Sequence, residues 1–103
     1  MYKIRYLPVA RQDMVEIAGY VAQALHNPAA AEHLAVELVE AADTLSAFPY
    51  ANPVYLPIRP LLHEYRKLLV RNHLLLYWVD EGAKQVTIAR VLYARRNYGE
   101  LLE

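Results

Sequence analysis

Arginine, tyrosine and histidine side chains are concentrated in one part of the chain, between Glu64 and Tyr98. Guanidinium groups bind phosphate or carboxylate oxygens in pairs, and a histidine with an ordinary pKa of about 6.5 can exchange protons near neutral pH. The side chains of interest are Arg66, His73, Tyr77, Tyr93, Arg95, Arg96 and Tyr98. A basic surface edged by aromatic rings suits RNA or an acidic protein partner.

The charges of the chain are segregated, although 11 basic and 11 acidic side chains give no net charge. Residues 1–48 contain three basic and six acidic side chains, whereas residues 59–96 contain eight basic and three acidic ones. Anion binding depends on local potential rather than on total charge. The second half is therefore the candidate anion-binding half, with ordinary surface charge as the alternative.

Length and composition exclude several classes of protein. A chain of 103 residues that is 56% hydrophobic is expected to form one packed domain spanning residues 1–103. No apolar run approaches the roughly 20 residues that span a bilayer, and the first ten residues lack a signal-peptide layout, so we expect a soluble cytoplasmic protein. The absence of cysteine excludes disulfides and thiolate metal sites. Since His26, His33 and His63 lack metal-like spacing, we expect no metal and no cofactor.

Two helices are predicted after a first strand. Alternating side chains predict a strand over Tyr2–Leu7, and apolar residues three and four positions apart predict a helix over Ala10–Leu25. Asn27 is a favoured helix N-cap, and a proline at the next position fits the first helical turn. A second helix is predicted from Pro28 to Phe48, and the short link between the two predicts an antiparallel hairpin.

Three further strands are predicted beyond a loop that four prolines interrupt. They are Leu62–Val70, His73–Val79 and Gln85–Tyr93, followed by a short helix over Asn97–Leu102. A two-residue turn at Arg71-Asn72 pairs the first two strands, and pairing of Val79 with Gln85 adds the third. With this register, Tyr65, Leu69, Leu74, Leu76, Trp78, Val86, Ile88 and Leu92 form the face that should pack on the helices. The predicted uncovered face contains Arg66, His73, Tyr77, Thr87 and Tyr93.

The order and spacing of several short segments resemble the RelE/ParE superfamily of toxins from bacterial type II toxin–antitoxin modules. The segments are Tyr6–Ala10 followed by Asp13, Ile17–Val21, Asn27–Ala31, Leu45–Pro49, Tyr65-Arg66, Asn72-His73 with Tyr77, and Val91–Tyr98. They cover nearly the whole chain, and their order rather than any single motif carries the resemblance. It implies an α+β fold in which an N-terminal strand and an antiparallel helix hairpin pack on a small antiparallel sheet.

The resemblance also implies a function and a partner. It implies a toxin that is blocked by a cognate antitoxin, as a homodimer or a toxin–antitoxin heterooligomer. RelE-like members cleave messenger RNA on the ribosome without a metal, whereas ParE-like members poison DNA gyrase and lack the nuclease side chains. We expect RelE-like cleavage of messenger RNA. The alternatives are a gyrase poison and a toxin-fold protein that acts mainly by binding its antitoxin.

Metal-free RNA cleavage needs proton transfer and cations at the crowded phosphate. The resemblance places Arg66 at the family's strand arginine, as the phosphate clamp, with help from Arg95 and Arg96. Tyr93 lies where relatives place a residue used in proton transfer or base stacking. The expected substrate-binding residues are His73, Tyr77 and Tyr98.

Each of these residues has a structural alternative. Arg66 could pair with Glu64 two positions earlier, as a surface ion pair of little energetic value. Tyr77 and Tyr93 could pack within the sheet, and the two later arginines could meet acidic antitoxin residues. No constellation of two bases and dedicated lysines, typical of the efficient nucleases of the family, is evident, which weakens the nuclease interpretation.

Overall fold

A four-stranded sheet with two helices on one face forms the fold in the computed structural model, which describes residues 1–103. The strands are β1 (Lys3–Tyr6), β2 (Arg66–Val70), β3 (His73–Asp80) and β4 (Gln85–Tyr93), and the helices are α1 (Pro8–Gly19) and α2 (Pro28–Thr44). The strand order is β1-β4-β3-β2, with β1 parallel to β4 and the other neighbours antiparallel. The predicted α+β class and the helix hairpin after a first strand are confirmed.

The helix hairpin is built by local signals at its two ends. Pro8 begins α1, which continues into a single π-helical turn, Tyr20–Ala24. The chain then reverses at His26, whose φ is 50°, and the Asn27 side chain accepts a hydrogen bond from the Ala30 N–H at 3.1 Å. The predicted N-cap of α2 is thus confirmed, and α2 ends at Thr44 rather than at the predicted Phe48.

The predicted pairing of β2 with β3 is confirmed, but the pairing of β3 with β4 was predicted wrongly. Val79 pairs with Val86 instead of Gln85, because the connecting loop has four residues rather than five. A β-bulge then shifts the register, since Leu76 pairs with Arg90. Between Gln85 and Ile88 the one-residue error in the prediction puts each side chain of β4 on the wrong face relative to β3. Beyond the bulge, the faces of β3 and β4 match the prediction again.

In β2 and β3 the helices cover the face that was predicted to be uncovered, because Tyr77 lies in the helix-side core, whereas Val86 and Ile88 of β4 face the helices as predicted. The helix-side core contains Ala10, Leu34, Leu38, Ala42, Leu45, Val70, Leu75, Tyr77, Val86, Ile88 and Val91. Tyr77 and Thr87 are fully buried, and Arg66 and His73 are partly buried. Of the five residues predicted on the uncovered face, only Tyr93 is largely exposed, at 44%. The predicted assignment of faces was therefore wrong for β2 and β3 but right for Val86 and Ile88 of β4, and Thr87 is buried on the face opposite to the helices.

The opposite face is also covered, which explains the error. The second core on that face contains Tyr65, Leu76, Ala89, Leu92 and Leu102. The proline-rich loop and a 3₁₀ turn at Tyr98–Leu101 pack over it, where a short helix was predicted. Because both faces of the sheet are apolar, counting apolar residues cannot tell which face meets the helices.

Backbone hydrogen bonds hold the proline-rich loop along the outer edge of β2. Tyr55 N–H donates to the Tyr65 carbonyl at 2.8 Å, and Lys67 N–H donates to the Pro53 carbonyl at 3.1 Å. Val54 makes an isolated bridge to Arg66. The strand predicted from Leu62 therefore begins only at Arg66, because the preceding residues belong to this loop.

Candidate functional site

A groove of about 820 Å³ opens between the helix hairpin and one end of the sheet. Its walls come from α1 with its π-helical turn, from the first half of α2, and from the β2–β3 turn with the end of β4. Its apolar lining includes Ile17, Val21, Leu34, Val91 and Leu92. We call this feature the helix–sheet groove.

Large apolar side chains stand exposed around the helix–sheet groove. Tyr20 is 61% exposed, Leu25 is 56% exposed, and Tyr93 faces them from the end of β4. The π-helical turn supplies the first of these side chains, and π-turns occur frequently at functional sites. An apolar floor with exposed aromatic and aliphatic rims is typical of a protein-binding surface.

His73 and Tyr93 lie side by side at the sheet end of the groove. Their rings are 5.9 Å apart between centroids and nearly perpendicular. Nδ1 of His73 is buried and has no hydrogen-bond partner, and burial lowers the pKa of His73. The neutral form with its proton on Nε2 is therefore favoured, because a proton on Nδ1 would be buried without an acceptor.

The charged side chains of the groove are mostly paired within the chain. Asp13 bonds Arg90, and Glu37 accepts two hydrogen bonds from Arg71. Arg96, after the end of β4, is exposed and makes no ion pair. It is therefore an unpaired cation at the rim of the groove.

Arg66, the predicted phosphate clamp, is held by the backbone of the proline-rich loop. One of its terminal nitrogens donates to the Asn52 carbonyl at 2.8 Å and to the Tyr50 carbonyl at 3.4 Å. Its guanidinium carbon lies 5.0 Å from the centroid of the Tyr50 ring, and Glu64 lies 3.7 Å away. The side chain is only 18% exposed. Arg66 therefore anchors the loop to β2.

The other predicted site residues are divided between two ends of the sheet. Tyr77 is buried, donates from its hydroxyl to the Pro49 carbonyl at 2.8 Å, and accepts from Asn52. Tyr98 packs on Tyr55, with centroids 5.4 Å apart. The exposed members at the groove end are Tyr93, Arg95 and Arg96, with His73 beneath them.

Arg66 and Tyr93 do not converge on one position. Arg66 pairs with Tyr77 and Tyr93 pairs with His73, so their partners lie four positions apart along β3. At about 3.3 Å per residue this is roughly 13 Å along the strand. With Arg66 also bonded to the proline-rich loop, the two side chains do not point at one phosphate position.

A second polar cluster, which was not predicted, lies at the opposite end of the sheet. The Glu81 carboxylate accepts hydrogen bonds from the hydroxyls of Tyr2 and Tyr50 and pairs with Lys84. These bonds, with Lys84 first, lower the pKa of Glu81 to about 2. The bond to Glu81 raises the pKa of Tyr50 to about 12. We call this set the Glu81 cluster; no local sequence signal brings it together, because its members come from three distant segments.

A buried ion pair between Asp13 and Arg90 was not predicted, although the sequence carries a signal for it. Asp13 falls between Ala10 and Ile17 on the apolar stripe of α1, where an unpaired carboxylate would be costly. In the structure it meets Arg90, which by alternation along β4 falls on the same predicted face as Ile88 and Leu92. Two opposite charges on apolar faces are the signal that a sequence can provide.

The chain contains no group of three or more histidine, cysteine, aspartate or glutamate side chains placed to hold a metal ion. None of its helices has both the length and the apolar character that crossing a membrane requires.

The chain is a small α+β protein with an exposed, partly apolar groove, and a comparison with known families identifies the family to which it belongs. Residues 4–98 match the model of the ParE toxin of the type II toxin-antitoxin system, parDE. The chain belongs to this family and is a toxin of a type II toxin–antitoxin system. No curated protein sequence matches it significantly.

Solved structures share the fold at low sequence identity. The chain is similar to a chain of the chromosomal ParDE toxin–antitoxin system from P. aeruginosa, with a TM-score of 0.74 and 18% identity over 92% of this chain and 98% of that one. It is also similar to a chain of the RelBE2 toxin–antitoxin complex from Mycobacterium tuberculosis, with a TM-score of 0.65 and 24% identity over 89% and 96%. A third match is the archaeal RelE–RelB complex from Pyrococcus horikoshii OT3, with a TM-score of 0.62 and 14% identity over 92% and 97%. These likenesses agree with the RelE/ParE fold expected from the sequence.

Proposed function

We propose that this toxin arrests growth by binding a protein target, with DNA gyrase as that target, and that it does not cut RNA. The observation that carries the proposal is the position of Arg66, whose guanidinium is engaged by two backbone carbonyls beneath the Tyr50 ring. This arginine was the clamp on which the expected cleavage of messenger RNA depended. Its engagement supports the ParE-like alternative over the RelE-like one.

The positions of the other candidate site residues also support the ParE-like alternative. A metal-free nuclease needs its cations and proton-transfer groups around one phosphate. Arg95, Arg96 and Tyr93 lie at one end of the sheet, while Arg66 lies roughly 13 Å away along the strand direction. His73 is partly buried with a lowered pKa, which suits packing better than general acid catalysis.

We further propose that the helix–sheet groove is where the antitoxin binds. Its apolar floor and exposed rim suit an amphipathic helix that inserts apolar side chains three and four residues apart. Arg96 at the rim favours an acidic residue on that helix. Three structural neighbours are described as toxin–antitoxin systems or complexes, which supports a partner of this kind.

Activity is tested by expressing the chain alone and together with the protein encoded by the neighbouring small open reading frame. We expect growth arrest in the first case and rescue in the second. Purified toxin should then stabilise gyrase-dependent DNA breaks and leave messenger RNA intact in a translating extract. Cleaved messenger RNA with unaffected gyrase would overturn the proposed mechanism, and normal growth with abundant folded protein would overturn the toxin activity itself.

The groove is tested with a pair of matched substitutions on α1 and the turn that follows it. Tyr20→Asp puts a charge on the groove rim, whereas Val15→Asp puts one at a position 65% exposed outside the groove. Tyr20→Asp should weaken antitoxin binding at least tenfold, measured by titration calorimetry, and Val15→Asp should leave it within twofold. Equal affinities for the two variants would remove the groove from the proposal.

A further inference from the structure

The floor of the helix–sheet groove is made of core side chains. Leu34, Val91 and Leu92 line it and are 9%, 1% and 3% exposed. Because these side chains are packed in the two cores, the groove is preformed, and closing it would require the cores to repack. Its volume of about 820 Å³ lies within the range of small-molecule sites, which is roughly 300–1,000 Å³. The groove is therefore large and firm enough to hold a small ligand.

Two tyrosine rings give the same groove an aromatic rim. Tyr20 on the π-helical turn and Tyr93 at the end of β4 are both exposed, and the half-buried Val21 lies beside the first of them. Aromatic rings offer a large apolar contact area, and their hydroxyls can stay in water at the rim. A hydrocarbon chain between this rim and the floor would lose most of its contact with water, which favours binding.

The charges of the groove lining leave one guanidinium free. Three carboxylates line the groove, and each has a partner within the chain: Asp13 with Arg90, Glu37 with Arg71, and Glu16 with the Gln12 amide at 3.3 Å. Since Arg71 is used in one of these pairs, Arg96 is the one arginine of the lining without a carboxylate partner. A guanidinium binds a carboxylate through two parallel hydrogen bonds. The groove therefore combines an apolar floor with a single site for an anionic group.

We propose that the helix–sheet groove also binds a small amphipathic carboxylate, whose hydrocarbon chain lies on the apolar floor and whose charged group pairs with Arg96. The antitoxin helix proposed for this groove offers the same two features, apolar side chains and an acidic residue. A carboxylate of this kind therefore competes with the antitoxin and raises the fraction of free toxin. Binding of the ligand rests on the groove alone, whereas the competition rests on the proposed antitoxin site.

The probe is sodium decanoate, titrated into the full-length chain near neutral pH and followed by calorimetry. A ligand of this size is expected to have a dissociation constant on the order of 0.1 mM. Hexanoate keeps the carboxylate but has a shorter chain, so it should bind at least tenfold more weakly because less apolar surface is buried. In NMR spectra, decanoate should shift the amide signals of Val21, Leu34 and Val91 and leave those of the Glu81 cluster unchanged. Shifts confined to other parts of the chain would overturn the proposal.

Two neighbouring arginines provide a matched pair of variants, because both are exposed but only Arg96 lines the groove. Arg96→Gln should weaken decanoate binding about tenfold, and Arg95→Gln should leave it within twofold. Ala30→Phe fills the groove from a half-buried position on α2 and should abolish decanoate binding in a chain whose circular dichroism is unchanged. If Ala30→Phe fails to fold, the two arginine variants still decide the question. No binding to the unaltered chain, or equal weakening in the two arginine variants, would overturn the ligand site.

The competition is measured as the affinity of the toxin for its antitoxin with and without decanoate. At about 1 mM decanoate the apparent affinity should fall about tenfold for the unaltered chain and about twofold for Arg96→Gln. Undiminished affinity, with decanoate seen in the groove by NMR, would overturn the competition. If Tyr20→Asp and Val15→Asp then also bind the antitoxin equally, the proposed antitoxin site fails, while the decanoate site still stands on its own titrations.

Discussion

The carboxylate of Asp13 in α1 accepts hydrogen bonds from two nitrogens of the Arg90 guanidinium in β4, at 2.8 and 2.9 Å. It also accepts one from the Val91 N–H at 3.0 Å. Strand β1 pairs with β4 only as far as Ile88, so beyond that point β4 has no neighbouring strand on the side away from β3. The carboxylate replaces the missing strand at this edge. It also joins the helix hairpin to the sheet beside the helix–sheet groove.

The first prediction concerns this ion pair. Asp13→Ala leaves two nitrogens of the Arg90 guanidinium and the Val91 N–H without their acceptor, in a site where the carboxylate side chain is only 8% exposed. We expect a loss of about 3 kcal/mol in the free energy of unfolding, at the lower end for a broken buried pair because Arg90 retains 18% exposure. Urea unfolding followed by circular dichroism measures it.

Glu37→Ala serves as the control, because it breaks the more exposed ion pair between Glu37 and Arg71. Its effect on the unfolding midpoint should be much smaller than that of Asp13→Ala. Equal losses of stability in the two variants would show that burial does not make the Asp13–Arg90 pair more stabilising than the exposed one.

Local features of the fold could be predicted from the sequence. The N-cap at Asn27, the two-residue turn at Arg71-Asn72 and the limits of β4 follow from residue type and periodicity, and the structure has them. Each depends on a few neighbouring residues whose preferences agree.

The side of the sheet that meets the helices could not be predicted in the same way. The bulge beside Arg90 has no marker such as glycine, and both sheet faces carry apolar residues because the proline-rich loop covers the second one. The candidate site inherited this error. Arg66 and Tyr93 were predicted on one open face. In the structure, carbonyl groups of the proline-rich loop bind Arg66, whereas Tyr93 lies exposed at the helix–sheet groove.

The second prediction concerns the anchoring role of Arg66. Arg66→Ala removes charged hydrogen bonds to the Tyr50 and Asn52 carbonyls, so we expect a loss of about 2 kcal/mol in the free energy of unfolding. Hydrogen exchange should also rise in the backbone amides of residues 50–55. Arg95→Ala removes an exposed arginine that bonds nothing in the chain, and it should change neither quantity. An unchanged loop in Arg66→Ala would restore this residue as a candidate for substrate binding.

The third prediction concerns stability in acid. The pKa of Glu81 is about 2 in the folded protein against an ordinary value of 4.5, because Lys84, Tyr50 and Tyr2 bond its ionised form. The unfolded chain therefore takes up this proton first, and the stabilisation is complete above pH about 5 and is lost as the pH falls towards 2. In urea titrations the midpoint of Glu81→Gln should fall less steeply over this range than that of the unaltered chain. Parallel curves would show that the Glu81 cluster adds no acid sensitivity.

The last prediction concerns His73 and its neighbour in the groove. Burial lowers the pKa of His73, and the buried Nδ1 has no acceptor for a second proton. Because the unfolded chain binds that proton more readily, His73 should reduce stability as the pH falls below about 6.5, its ordinary value. The titration of its Cε1 proton by NMR should give a lower pKa in the folded protein than in urea. Tyr93→Ala removes the ring that packs beside it and should move the folded value back towards the urea value, since water then reaches the imidazole. A folded pKa equal to that in urea would mean that the imidazole is already solvated and that Tyr93 does not shield it.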